Sequence, residues 1–104
     1  MDMDQILDSL DRMISEWEQQ SLIAIEAEAN FKSFEASSKK ALIDVGDSAA
    51  KAEVFVRAMP AWTEKYKALQ QANLSVEVLK KRIMVAQLTF DAERTNRADK
   101  RRIV

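Results

Sequence analysis

The sequence predicts an all-α protein built around a long antiparallel helical hairpin. The first observation is that its 104 residues include one Gly and one Pro, which leaves little material for tight turns. The second is that hydrophobic residues make up 47% of the chain and recur at helical spacing over two long segments. Few turns and long periodic segments together indicate a small number of long helices in a single domain, residues 1–104.

The first helix is expected over about residues 3–44. Its apolar seam advances in alternating steps of four and three, the pattern by which one helix packs along another. Only Gln20 and Ser38 in this seam are polar, so we expect one uninterrupted helix. The seam positions are Ile6, Leu10, Met13, Trp17, Gln20, Ala24, Ala27, Phe31, Phe34, Ser38, Ala41 and Val45.

The bend of the hairpin is predicted between residues 43 and 48. Gly46, the only glycine, can take the left-handed conformation that ends a helix, and Asp47 or Ser48 can cap the next one. A short helix is then expected over about 48–58, ending before Pro60, which suits the first position of a helix. Its residues available to pack are Ala52, Val54, Phe55 and Ala58.

The second long helix is expected over about 60–101. The weaker helix formers Asn73 and Ser75 leave a break near Asn73 as an alternative. The basic segment 94–104 is where this helix can fray. The seam is formed by Trp62, Leu69, Ala72, Val76, Leu79, Ile83, Ala86 and Phe90, with Tyr66 one turn after Trp62.

A second group of apolar residues on this helix lies away from the seam. A helix that is apolar on two faces needs two partners, and a two-helix hairpin supplies one. The short helix could cover part of this surface; otherwise a second subunit does. We therefore predict self-association, as a homodimer that forms a helical bundle. The residues concerned are Leu74, Val78, Val85 and Leu88.

The formal net charge of −1 conceals opposite charges at the two ends of the chain. Residues 1–20 contain six acids and one base, whereas residues 80–104 contain eight bases and three acids. Acids at a helix start and bases at a helix end complement the macrodipole, and an antiparallel hairpin places these two ends side by side. We interpret most of the pattern as this mutual neutralisation.

The alternative interpretation is a cationic surface that binds nucleic acid or an acidic protein. The sequence pI of about 5.5 weighs against it, because domains that bind a phosphate backbone usually carry net positive charge. The residues that would form this surface are Lys80, Lys81, Arg82, Arg94, Arg97, Lys100, Arg101 and Arg102.

The composition disfavours catalysis. The chain has no Cys and no His, which removes the thiolate nucleophile, the usual general base and the commonest metal ligand. Acidic pairs such as Glu26 with Glu28 are two residues apart and diverge on a helix. The aromatic residues lie on or beside the seams, which favours core packing over base stacking. We predict a protein that is not an enzyme, with no catalytic residue, metal, cofactor or small-molecule substrate.

Targeting signals are also missing from the sequence. No segment approaches the roughly 20 consecutive apolar residues of a membrane span, and the acidic N-terminus does not resemble a secretory signal. We therefore expect a cytoplasmic protein that does not enter a membrane.

Residues 52–102 carry a resemblance to a known group of proteins. They comprise a short Ala-containing helix, a long helix with Trp62, Tyr66 and Leu69, the basic triplet Lys80, Lys81 and Arg82, and a terminal stretch from Asp91 to Arg94 that leads to further bases. This pattern resembles small helical proteins encoded in bacteriophage early regions, often beside recombination and single-strand annealing genes. The resemblance supplies no catalytic residues. It implies an accessory or inhibitory protein, in the host cytoplasm, that contacts nucleic acid or a host or phage enzyme.

Three functional hypotheses follow. The favoured one is a non-catalytic helical accessory or inhibitory protein that acts by binding a protein partner, such as a host or phage nucleic-acid enzyme. The second is direct nucleic-acid binding through the basic C-terminal segment. The third is a purely structural coiled-coil scaffold. The sequence leaves open which partner is bound, how many copies associate, and whether the basic segment is paired with the acidic N-terminus.

Overall fold

The computed structural model describes residues 2–103, and the side chains of residues 2–101. This part of the chain contains three helices and no strand: α1 (Met3–Asp44), α2 (Ala49–Ala58) and α3 (Pro60–Ile103). The predicted all-α hairpin is confirmed, with the short α2 between the two long helices. α3 runs without interruption past Asn73, so the break considered there does not occur. Within the residues described, no helix combines the length and apolar character that crossing a membrane requires.

Local hydrogen bonds fix the beginning of α1. A carboxylate oxygen of Asp2 accepts a hydrogen bond from the Gln5 backbone N–H at 2.8 Å, and the Gln5 side-chain oxygen accepts one from the Asp2 backbone N–H at 3.2 Å. This reciprocal arrangement is a capping box, which satisfies backbone donors that have no partner inside the helix.

The bend after α1 is a Schellman motif. Gly46 has φ of 109°, and its N–H donates to the Ile43 carbonyl at 3.0 Å, while the Asp47 N–H donates to the Leu42 carbonyl at 3.1 Å. These two bonds satisfy carbonyls at the end of α1. Ser48, one of the two predicted caps, begins α2, because its side chain accepts from the Lys51 N–H at 3.3 Å.

Contacts divide the chain into two units. The bend unit is Ser21–Leu74, and the terminal unit is Met1–Gln20 together with Ser75–Val104. The bend unit therefore contains parts of all three helices, whereas the terminal unit contains only the first part of α1 and the later part of α3.

The core of the bend unit is centred on α2. Ala52 and Val56 are 0% exposed, and they lie one helical turn apart on the same face of α2. The prediction for α2 was right for Ala52 and wrong for Val54, Phe55 and Ala58, which are exposed. The predicted set mixed faces of the helix, and the face that is buried is the one shared by Ala52 and Val56.

Aromatic rings join α1 to α3 in the bend unit. The Phe31 and Trp62 ring centroids are 5.5 Å apart, and Trp62 stacks on Tyr66 with centroids 5.1 Å apart and an interplanar angle of 6°. The Trp62 Nε1 donates a hydrogen bond to a Glu35 carboxylate oxygen at 3.0 Å. Aromatic pairs of this kind contribute about 0.5–1.5 kcal/mol beyond the area that they bury. These contacts confirm that the rings pack between the helices.

The predicted seams agree with the observed burial over most of their length. In α1, the seam residues from Ile6 to Ser38 are buried or half-buried, but Ala41 is exposed and Leu42 is half-buried instead; Val45, just after the end of α1, is also exposed. A straight helix drifts relative to a strict seven-residue repeat, which moves the buried face by one position near the end of α1. In α3 the seam is buried or half-buried throughout, except that Tyr66 is 41% exposed.

Candidate interaction surfaces of the terminal unit

The core of the terminal unit is thin. Its buried hydrophobic residues are Ile6, Leu10 and Leu79. Each long helix of the terminal unit can bury only one face against the other, because α2 belongs to the bend unit. Apolar residues on the remaining faces therefore stay exposed to solvent.

Where the structure describes the side chains, the opposite charges of the two helices are not joined by direct ion pairs. Among the described residues, every ion pair links side chains four positions apart in sequence, and none joins α1 to α3. In the terminal unit this pair is Arg97 with Glu93, at 3.6 Å. The expected neutralisation between the acidic start of α1 and the basic end of α3 therefore does not involve direct contact between the described side chains. Most of these charges remain available to another molecule.

An apolar trough runs between the two helices on one side of the terminal unit. One groove, of about 400 Å³, is lined by Met13, Lys81, Arg82, Val85 and Ala86. A second, of about 240 Å³, is lined by Ile6, Ser9, Ala86 and Thr89. Ala86 lines both grooves, and we refer to them together as the Val85 trough. Val85 itself is 62% exposed.

A separate groove lies around Trp17. It has a volume of about 290 Å³ and is lined by Ile14, Trp17, Lys80, Ile83, Met84 and Gln87; we call it the Trp17 groove. Met84 is 56% exposed. The Trp17 Nε1 is buried and has no hydrogen-bond partner. A buried donor left in this state costs about 1–3 kcal/mol, so Trp17 packs beside the groove at the expense of its N–H.

The residues predicted for self-association are all exposed. Val78, Val85 and Leu88, in the terminal unit, are 38%, 62% and 67% exposed, and Leu74, in the bend unit, is 62% exposed. α2 does not bury them. Each is therefore accessible to another molecule, and self-association through them stays a prediction.

The predicted cationic residues that the structure describes lie on more than one side of α3. Lys80, Lys81 and Arg82 are exposed, but consecutive residues on a helix project about 100° apart, so these three point in different directions. Arg97 is paired with Glu93. The other described members, Arg94, Lys100 and Arg101, are exposed, and the side chain of Arg102 lies outside the described residues.

The arrangement of carboxylates does not suggest a metal centre. Across the part of the chain that the structure describes, no three acidic side chains come together in a way that could hold a metal ion. In the described part of the terminal unit, the features that stand out are the Val85 trough, the Trp17 groove and the bases beside them. Comparisons with protein-family models, with curated proteins and with solved structures found no match.

Proposed function

We propose that this chain is a non-catalytic accessory or inhibitory protein that acts by binding a protein partner through the Trp17 groove. The observation that carries this proposal is the amount of surface that the fold leaves uncovered. The chain exposes 7902 Å², whereas folded monomers of its mass, 11.9 kDa, expose about 6,000 Å². The excess is larger than the roughly 800 Å² that one partner contributes to a specific protein–protein interface.

The lining of the Trp17 groove suits a protein ligand. Ile14, Ile83 and Met84 supply an apolar wall, and Lys80 supplies a cation that is not ion-paired with any described residue. Interfaces combine an apolar centre of this kind with a polar rim, and aromatic and Met side chains are enriched in them. The matching ligand is an apolar anchor side chain with a carboxylate beside it, which an amphipathic helix can present.

The resemblance of residues 52–102 to phage early-region proteins favours a host or phage nucleic-acid enzyme as the partner. A small protein that covers a surface of such an enzyme can inhibit or redirect it without any chemistry of its own. A bound partner would also explain why an apolar groove is open to solvent, because exposed apolar surface of this kind often marks a binding site.

A pull-down with a matched pair of variants tests this proposal. Met84→Glu places a charge in the Trp17 groove, whereas Val54→Glu places the same charge on α2, where Val54 is 67% exposed. We expect the wild-type protein and Val54→Glu to retain the same partner from a lysate of the native host, identified by mass spectrometry. Met84→Glu should lose it while keeping its helical circular dichroism. Equal retention of the partner by both variants would count against the Trp17 groove as its binding site.

Direct nucleic-acid binding is the second candidate, favoured by the exposed bases of α3 that make no ion pair. It predicts an affinity for DNA that falls steeply with salt concentration. Fluorescence anisotropy with single-stranded and duplex DNA at low salt, using the wild type and the double variant Arg94→Gln with Arg101→Gln, measures this directly. No binding at low salt would remove this candidate.

A further inference from the structure

We propose that two copies of this chain associate along the Val85 trough, with α1 of each copy lying against α3 of the other around a two-fold axis parallel to the helices. This inference goes beyond the proposed function, because its partner is a second copy and it uses the side of the terminal unit that carries the Val85 trough. It holds whether or not another protein occupies the Trp17 groove.

The trough has two edges with the same spacing. One edge is formed by residues of α1 and the other by residues of α3. Along each edge the residues follow one another in steps of four, three and four positions, so each edge lies on one side of its helix. Ser9 and Thr89 line one groove of the trough together, and Met13 and Val85 line the other. The two residues of each pair therefore lie close to each other. The α1 edge is Ser9, Met13, Glu16 and Gln20, and the α3 edge is Val78, Arg82, Val85 and Thr89.

These two edges are therefore aligned level by level. Because the helices are antiparallel and both edges have the same steps, Glu16 is level with Arg82, and Gln20 is level with Val78. Glu16 and Arg82 are both exposed, and neither makes an ion pair with any residue that the structure describes. The trough thus offers an acid on one edge and a base at the same level on the other.

A two-fold axis parallel to the helices turns this alignment into a self-complementary surface. It lays the α1 edge of one copy over the α3 edge of the other at the same level, so Met13 meets Val85 and Glu16 meets Arg82. Each contact occurs twice, as an isologous interface requires. A two-fold axis perpendicular to the helices would instead set acids of α1 beside acids and bases of α3 beside bases, which is unfavourable. Charge therefore selects the first arrangement.

Three of the other residues that line the trough, Thr89, Ser9 and Ala86, are compatible with burial. The Thr89 hydroxyl donates to the Val85 carbonyl at 3.0 Å, so it needs no partner from the second copy. Ser9 and Ala86 are small and permit close approach of the facing helix. A dimer of standard size buries about 800 Å² on each partner, which is less than the excess surface that the chain exposes.

Cysteine cross-linking tests the arrangement, since the natural chain has no Cys. Met13→Cys and Val85→Cys are prepared as separate chains that differ in tag length, unfolded together, refolded and oxidised. We expect a disulfide between the two different chains and little between identical ones. The control is Ile14→Cys mixed with Met84→Cys, which line the other groove and should not link. Equal linkage in the control mixture, or stronger linkage of identical chains, would overturn the arrangement.

Charge exchange tests the polar contact. Glu16→Arg or Arg82→Glu alone should weaken the dimer by about tenfold, because each change creates two repulsive pairs. The double variant should recover wild-type affinity, measured by sedimentation equilibrium, with circular dichroism as the check on folding. A wild-type chain that is monomeric at every concentration overturns the proposal. Such a result leaves the proposed function standing if Met84→Glu still abolishes partner capture.

Discussion

The two units of this chain bury their residues in different ways. In the bend unit, α2 adds a third helix, Val56 is 0% exposed, and Trp62 donates to Glu35, which is 27 positions away in the sequence. In the terminal unit, two helices share a thin core, and the described polar contacts join residues at most four positions apart. In the bend unit a hydrogen bond therefore joins two helices, whereas the buried residues of the terminal unit are apolar ones of the seam between α1 and α3.

This difference separates stability from binding. A unit whose core is closed by a third helix contributes most to the free energy of unfolding. A unit that leaves apolar grooves and unpaired charges at its surface gains stability when another chain covers it. Substitutions in the bend unit should consequently lower stability, and those at the grooves of the terminal unit should chiefly affect association.

The largest expected effect on stability is at the core of the bend unit. Val56→Ala removes two buried methyl groups and should lower the free energy of unfolding by about 2 kcal/mol. Val54→Ala makes the same change on the same helix at a residue that is 67% exposed. It should change the free energy of unfolding by less than about 0.5 kcal/mol. Urea unfolding of both variants measures the contrast. Similar losses would mean that α2 does not present the Val56 face to the core.

The two tryptophans give a smaller contrast between the units. Trp62→Phe removes a hydrogen bond to a carboxylate, and we expect a loss of about 1–2 kcal/mol in the free energy of unfolding. Trp17→Phe removes an indole N–H that has no partner, so it should cost less. Urea unfolding at one low protein concentration allows the comparison. A greater loss for Trp17→Phe would show that its N–H is hydrogen-bonded in solution.

The bend itself should show a more modest effect. Gly46→Ala places a side chain at φ of 109°, where L-residues are strained, although nothing lies within 4 Å of the added Cβ. The cost is therefore conformational, about 1 kcal/mol. Thermal unfolding detects this as a lower midpoint. An unchanged midpoint would indicate that the end of α1 relaxes to accept the new residue.

The sequence was informative where structure depends on neighbours along the chain. The helix bounds, the Gly46 bend and the seam from Ile6 to Ser38 follow from local spacing and turn chemistry. The capping box at Asp2 and Gln5 was not predicted, although its Asp-x-x-Gln pattern is a recognised signal at a helix start.

The features that sequence reasoning missed depend on contacts between distant residues. Which face of α2 is buried is decided by the direction of the chain after the bend, so Val56 was not selected. The different surroundings of Trp17 and Trp62 depend on an acceptor, Glu35, that lies on another helix. Exposure of Val85 was expected from its position off the seam. The grooves beside it depend on the spacing between α1 and α3, which periodicity does not determine.

Hydrogen exchange at two protein concentrations tests most directly whether the terminal unit is completed by a second chain. In a dilute sample, amides of the bend unit should be the better protected. At a concentration well above the dimer dissociation constant, protection should rise in peptides containing Met13 and Val85, and remain unchanged in those containing Val56. Protection that is independent of concentration in both units would contradict this division of roles.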